Sequence, residues 1–417
     1  MGLLIRLGLL GTAVLLILVA MTAVSTDPRP AAAARHESGD GWVTSWSASP
    51  QVATPGTLAA AGFDDQTVRD IILSSVGGDP IRLELTNVFG ASPLRVGHVT
   101  VAVAGPGAAV QPGTMHPVTF GGSASFQIPA GGQVLSDPVA MRVGPLQDLA
   151  VSVYLPGRTG AATFHADAQQ VNWVSAAGDH AADSDAGEFT IPTLSWYYVS
   201  DLIVQSSDAD GTVVALGDSI TDGVGSTAGA DARWPNDLAR RLDALAGRTL
   251  AVADEGIGGN RVLFGARCCR ASAEARFGRD ALDQPGVRDI IVLEGINDIG
   301  FSLGDVSAAQ IIAGYQRLIA QAHARALRIF GATLLPFQGA GYYTAAGEAT
   351  REAVNTWIRT SGAFDGVVDF DAVMRDPADP LRLNPAYDSG DHLHPDDAGY
   401  QAMADAISLQ MLLPGSP

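Results

Sequence analysis

Lysine is absent from this 417-residue sequence, and all 25 of its basic side chains are arginine. We attach no mechanism to that bias. Positive charge is scarce as well, because 44 carboxylates give a formal net charge of −19. Residues 1–210 hold 18 acids and 8 arginines, and residues 211–417 hold 26 and 17. Neither half offers the basic surface that a phosphate backbone requires, which argues against a nucleic-acid partner.

Only two cysteines occur, the adjacent Cys268 and Cys269 in "RCCR". A bond between neighbours is strained and closes no useful loop. A zinc site needs more ligands than this pair supplies. We read the pair as a local loop staple or a redox oddity, without a catalytic role. A hydrophobic content of 47% against 17% charged residues excludes global disorder. The length calls for two domains.

One long apolar run is present, at the N-terminus. Arg6 precedes about 18 uncharged, mostly apolar residues, and "STDPRPAAAARHESGD" follows. This fits an export signal cut near Ser25 or within Ala31–Ala34, or else a retained membrane anchor. In either case the folded part is expected outside the cytoplasm, with membrane as a partner only if residues 1–40 are retained. No long apolar lid segment follows in the mature chain.

From Gly41 to Ser206 the patterns are those of strands. In "IRLELTNV", Ile81, Leu83 and Leu85 alternate with Arg82, Glu84 and Thr86, the period of a half-buried strand. "HVTVAVAG", "PVTFGG", "ASFQIPAGG", "LAVSVYLPG" and "WYYVSDLIV" follow, punctuated by Gly, Pro and Asp. Many short strands without convincing helix predict an all-β sandwich or jelly roll over 41–206. Residues 178–188, "GDHAADSDAGE", read as a solvated loop.

The pattern then changes. The apolar strands "TVVALGD", "TLAVAD", "RDIIVLEG", "RIFGATLLPF" and "GVVDFD" alternate with helical stretches. These are "RWPNDLARRLDALAG", "SAAQIIAGYQRLIAQAHARA", "AGEATREAVNTWIRTSG" and "DDAGYQAMADAISLQMLL". Such alternation over 207–417 predicts an α/β domain, a parallel sheet covered on both faces. Working residues are then expected on loops at the carboxyl ends of strands.

"GDSITDG" (217–223) has that address. Alone it proves little, since Gly-Asp-Ser is turn vocabulary and serine is an ordinary N-cap. Three other stretches share the address: "DEGIGGNRV" (254–262), "EGINDIG" (294–300) and "DSGDHLHPDDAGY" (388–400). A serine hydroxyl needs a base to become a nucleophile. His392 and His394 are the histidines near a strand-end loop in this half, His323 falling inside a helical stretch. Asp391 stands three residues before His394, so its carboxylate can face Nδ1 and leave Nε2 for Ser219. The backbone N–H groups of Ser219 and Gly259 and the amide of Asn297 are candidate oxyanion donors.

These four blocks, in this order, resemble the SGNH (GDSL-type) hydrolase family. The match runs over about residues 212–412. Ser219 stands as nucleophile in the first block, Gly259 in the second, Asn297 of Gly295-Ile296-Asn297-Asp298 in the third, and Asp391 with His394 in the fourth. Ile220 departs from the leucine that names the motif, and Gly258 stands where serine is common. The β-rich front half more loosely resembles that of secreted members similar to xylan-acetyl esterases. The resemblance implies a flavodoxin-like three-layer fold and ester hydrolysis without metal or other cofactor.

The expected activity is that of a secreted serine esterase removing short O-acyl (acetyl) groups from carbohydrate, with acetylated polysaccharide as the natural partner. A lipase or general short-chain esterase is the alternative. From another class comes a carbohydrate-binding or wall-associated protein with an inactive hydrolase half, which a fluorophosphonate probe would not label. A metallohydrolase using His392, His394, Asp396 and Asp397 would lose activity in EDTA; we expect no metal. Asp218 is read as a turn acid, and Asp298 as bracing its own loop. His392 is expected to pack beside the site or hydrogen-bond locally. Trp234 either lines the substrate pocket or anchors a helix start. Trp42 and Trp46 either stack a sugar or pin the first strand.

Overall fold

The computed structural model describes residues 41–245, 247–265, 271–302 and 305–413. The N-terminal apolar run and the two cysteines lie outside the described residues. Among the described residues, no helix is long and apolar enough to cross a membrane.

Residues 41–206 form an antiparallel β-sandwich. One sheet has six strands, in the order Ile191–Thr193, Asn172–Ala177, Gln66–Ser74, Gln147–Leu155, His98–Val103, His116–Pro117. The other has four, in the order Trp42–Ser47, Val199–Gln205, Ile81–Thr86, Gln133–Leu135. The alternation read from the sequence places Ile81, Leu83 and Leu85 inside, packed with Val68, Val99, Val151 and Leu202. "WYYVSDLIV" is two strands, not one. Tyr198 has φ +63 and separates Trp196–Tyr197 from Val199–Gln205, which pair in different sheets. The 178–188 loop is mostly exposed but anchored, since the buried Arg69 guanidinium donates to the Asp183 carbonyl at 2.7 Å.

The second half carries five parallel strands: β1 (Ala209–Gly217), β2 (Thr249–Gly256), β3 (Val287–Leu293), β4 (Arg328–Ala332) and β5 (Gly366–Val368). Their order is β2-β1-β3-β4-β5, the flavodoxin-like winding, with a switch point beside β1. The helices are α1 (Ser219–Asp222), α2 (Trp234–Asp243), α3 (Ala273–Phe277), α4 (Ile296–Ser302), α5 (Ala308–His323), α6 (Ala345–Thr360), α7 (Phe370–Met374), α8 (Asp397–Ala406) and α9 (Leu409–Leu412). They pack in two groups, α2 with α7 and α8, and α3 to α6 together. The sheet is therefore the middle of three layers. The C-terminal stretch expected as one helix is split, because Ile407 is extended (ψ 117) between α8 and α9.

Register sets the site. Gly217, the last residue of β1, pairs with Gly256 on one side and Leu293 on the other. Three strands therefore end on one rim, and the loops that follow leave from the same place.

The two halves pack as one body. Strand Trp42–Ser47 lies against β1 and β2. The Thr44 N–H donates to Thr212 Oγ1 at 3.1 Å, and Thr44 Oγ1 donates to Gln284 at 2.8 Å. Trp46 is buried edge-on against Trp196, and Trp42 carries the Arg82 guanidinium over its ring. Strand pinning therefore fits these two residues better than sugar stacking.

Candidate active site

Ser219 opens the single turn α1. Asp218 caps it, accepting the Ile220 N–H at 3.0 Å through Oδ1, as a turn acid should. The turn sits directly on the end of β2. A Cβ on Gly256 would lie 2.2 Å from the Asp222 nitrogen, so only glycine allows this approach.

The other block of the pair arrives by a long route. After β5 the chain forms α7, wanders through 375–387 and returns as the loop before α8. Asp388 and Pro395 bridge across the base of that loop, and the Ser389 N–H donates to the His394 carbonyl at 3.0 Å. The Thr227 N–H donates to Asp397 at 2.7 Å, and Tyr400 donates to the Val224 carbonyl at 2.6 Å, binding this loop to the one that follows Ser219. The result brings residues 219 and 394 together. His394 Nε2 lies 2.8 Å from Ser219 Oγ, and Nδ1 lies 2.5 Å from Asp391 Oδ2. The other oxygen, Oδ1, accepts the N–H groups of His394 at 2.8 Å and Leu393 at 2.9 Å. Desolvation works against the Asp391 charge, but the imidazole and these backbone N–H groups outweigh it and hold the carboxyl below its usual range.

Gly259 has φ +71, a backbone conformation that favours glycine. Among the described residues, no protein acceptor takes the N–H of Ser219 or of Gly259. Asn297 lies near the start of α4. Its Nδ2 donates to the Asn260 carbonyl at 3.0 Å, and its Oδ1 accepts from Tyr342 at 3.2 Å. These two bonds fix the amide orientation and leave one of its two N–H bonds uncommitted.

Asp298 differs from expectation. It braces the neighbouring loop rather than its own, accepting the N–H groups of Val262 at 2.7 Å and Leu263 at 3.1 Å. Trp234 also corrects one reading: it is wholly buried at the start of α2 and tilted against Phe370, which fits the helix-anchoring alternative and not a substrate-lining one. His392 is half-exposed with φ +64 and pairs with Asp388 at 2.6 Å. His392 and His394 thus face different carboxylates.

Two residues that sequence reasoning missed hold the rim together. The Arg276 guanidinium is fully buried and donates to the carbonyls of Gly217 (2.8 Å) and Glu255 (2.7 Å), to Asn260 Oδ1 (2.8 Å) and to Ser49 of the sandwich (2.9 Å). It clamps the ends of β1 and β2. His165, also from the sandwich, lies 2.9 Å from Asp222. No local motif marks either residue.

The rim and the sandwich beside it are rich in buried carboxylates. Desolvation pushes Asp218 and Asp254 up to about 7, Glu84 to about 8, and Asp201 and Asp298 to about 6. Each raised group binds its proton more tightly in the folded chain than in the unfolded one. The stability it contributes is full below about pH 4 and is lost as pH rises through the folded value. Asp391 and Asp280, held low, act the other way at more acid pH. Thermal melting is therefore expected at a higher temperature at pH 5 than at pH 8. A melting temperature that rises monotonically from pH 5 to 8 would contradict this account of the carboxylates.

Residues 215–402 match the GDSL-like Lipase/Acylhydrolase family. The match lies within the α/β half and supports a carboxylic ester hydrolase. No curated protein matches the chain. Similar solved structures include a carbohydrate acetylesterase family member from Sinorhizobium meliloti, at 19% identity, over 49% of this chain and 99% of that one, with a TM-score of 0.39. A catalytic mutant of an acetylxylan esterase from Geobacillus stearothermophilus is 21% identical, over 49% and 94%, with a TM-score of 0.38. A GDSL-like lipase from Bacteroides thetaiotaomicron is 18% identical, over 49% and 89%, with a TM-score of 0.38.

Proposed function

We propose that Ser219 attacks the ester carbonyl while His394 takes its proton, and that Asp391 fixes the imidazole tautomer and stabilises the imidazolium. The tetrahedral oxyanion is received by the N–H groups of Ser219 and Gly259 and by the uncommitted N–H of Asn297. His394 then protonates the leaving alcohol, and water repeats the attack on the acyl-enzyme. The observation that carries this reading is the unbroken relay from Asp391 through His394 to Ser219, at 2.5 and 2.8 Å.

The substrate we propose is a short O-acyl group, acetyl above all, on carbohydrate met outside the cytoplasm. An aromatic cluster beside Asn297 supports it, since Tyr342 donates to Asn297 Oδ1. Phe301 is 53% exposed and edge-on to Tyr342, with the Arg261 guanidinium 5.1 Å from its ring centre. The export-like N-terminus and the missing lid segment point the same way.

Replacing Asn297 with alanine is expected to lower kcat about 10²- to 10³-fold with little change in KM, as for other single oxyanion donors. Steady-state kinetics on p-nitrophenyl acetate measure it. The substrate class is tested by comparing acetylated oligosaccharides with p-nitrophenyl esters of rising chain length. We expect kcat/KM to be highest on the acetylated sugars and to fall with acyl length. A maximum at eight carbons or beyond would favour a lipase.

A further inference from the structure

The β-sandwich reaches the catalytic rim through His165 as well as through Ser49. His165 lies in strand Phe164–His165, paired with Trp196–Tyr197, and its ring leans on Trp196. It and Asp222 are almost wholly buried, with side chains 4% and 2% exposed. Its Nδ1 lies 2.9 Å from the Ser49 carbonyl, which can only accept, so Nδ1 carries a proton. Its Nε2 lies 2.9 Å from Asp222 Oδ1. The second carboxylate oxygen, Oδ2, accepts the Gly258 N–H at 2.9 Å. Burial opposes a charge on the imidazole, but Asp222 beside it outweighs burial and holds the ring above its ordinary range.

The positions matter more than the pairing. Asp222 closes the same turn that Ser219 opens. Gly258 immediately precedes Gly259, the backbone donor that finds no protein acceptor among the described residues. One carboxylate thus ties the nucleophile's turn to the loop that carries an oxyanion donor, and an imidazole from the other half of the chain sets that carboxylate's orientation. A pair serving only as interdomain glue could be replaced by apolar packing at no cost to stability, often with a gain.

We propose that His165 and Asp222 form a positioning pair, through which the β-sandwich holds the Gly258–Gly259 loop at the distance from Ser219 that the oxyanion requires. The proposal rests on ester hydrolysis at Ser219. It makes the sandwich a structural part of the catalytic centre.

The test uses the full chain with three variants, His165→Phe, Asp222→Asn and Asp222→Ala, each normalised by fluorophosphonate titration so that only competent sites count. His165→Phe keeps an aromatic ring but no hydrogen bond. Its kcat per titrated site is expected to fall about 10- to 100-fold, as for small misplacements of catalytic groups, with KM little changed. Inhibition by phenylboronic acid, whose tetrahedral adduct fills the oxyanion position, should weaken in step. Asp222→Asn can still accept from Gly258 and donate to a neutral His165, so it should retain more kcat than Asp222→Ala, which loses both links.

Unchanged kcat per site and unchanged boronate inhibition, with only a lower Tm, would overturn the proposal. If His165→Phe does not fold, equal kcat in the two Asp222 variants would overturn it instead. A parent enzyme that neither labels nor turns over would sink ester hydrolysis itself. An active, labelled parent with unaffected variants would sink the positioning pair alone.

Discussion

Ser219→Ala is expected to lower kcat for p-nitrophenyl acetate about 10⁴- to 10⁶-fold, with KM and Tm close to the parent's. The size follows from the chemistry removed. Without Oγ no acyl-enzyme forms, and what remains is the oxyanion donors acting on attack by water. The fold should not notice the change. Ser219 is 7% exposed, its hydroxyl pairs with His394, and the cap of its turn is provided by Asp218 rather than by its own side chain. A burst of p-nitrophenol in the parent, absent from the variant, would be the kinetic signature. Turnover by the variant within about tenfold of the parent would contradict the mechanism.

Asp391→Asn is the second large effect, and its direction follows from the second carboxylate oxygen. Oδ1 accepts two backbone N–H groups, those of Leu393 and His394. An asparagine there would turn its carbonyl oxygen toward those donors and its NH2 toward His394 Nδ1. Nδ1 would then have to accept, moving the imidazole proton to Nε2, where it blocks proton uptake from Ser219. We expect kcat to fall about 10³- to 10⁴-fold with little change in KM. The folded state should survive, since both backbone bonds are kept. Stopped-flow acylation on the variant measures the step directly. Acylation at the parental rate would mean that the tautomer does not matter.

Much of this architecture is legible in the amino-acid sequence alone. Strand alternation marks the sandwich, and the switch to alternating strands and helices marks the α/β half. Four short blocks mark the loops, because a parallel sheet puts successive loops on one edge. The structure adds the reason they meet there: Gly217 is in register with both Gly256 and Leu293. What the sequence hides is long-range. His165 sits in "ATFHAD" and Arg276 in "AEARF", neither of them a motif. Their roles come from folding distance, since His165 meets a residue 57 positions away and Arg276 reaches Ser49 across 227. Trp234 misleads for the opposite reason. Closeness to Ser219 in sequence suggests closeness to substrate, whereas α2 turns that face into the core. Tyr198 and Ile407 break elements that pattern alone reads as continuous, because a single backbone dihedral leaves no trace in hydrophobic periodicity.

Peptide mass mapping after reaction with a fluorophosphonate tests the central claim most directly. One adduct is predicted, on the peptide carrying residue 219, formed quickly in the parent and far more slowly in His394→Ala. An active enzyme that takes no label, or takes it on another side chain, would contradict the account.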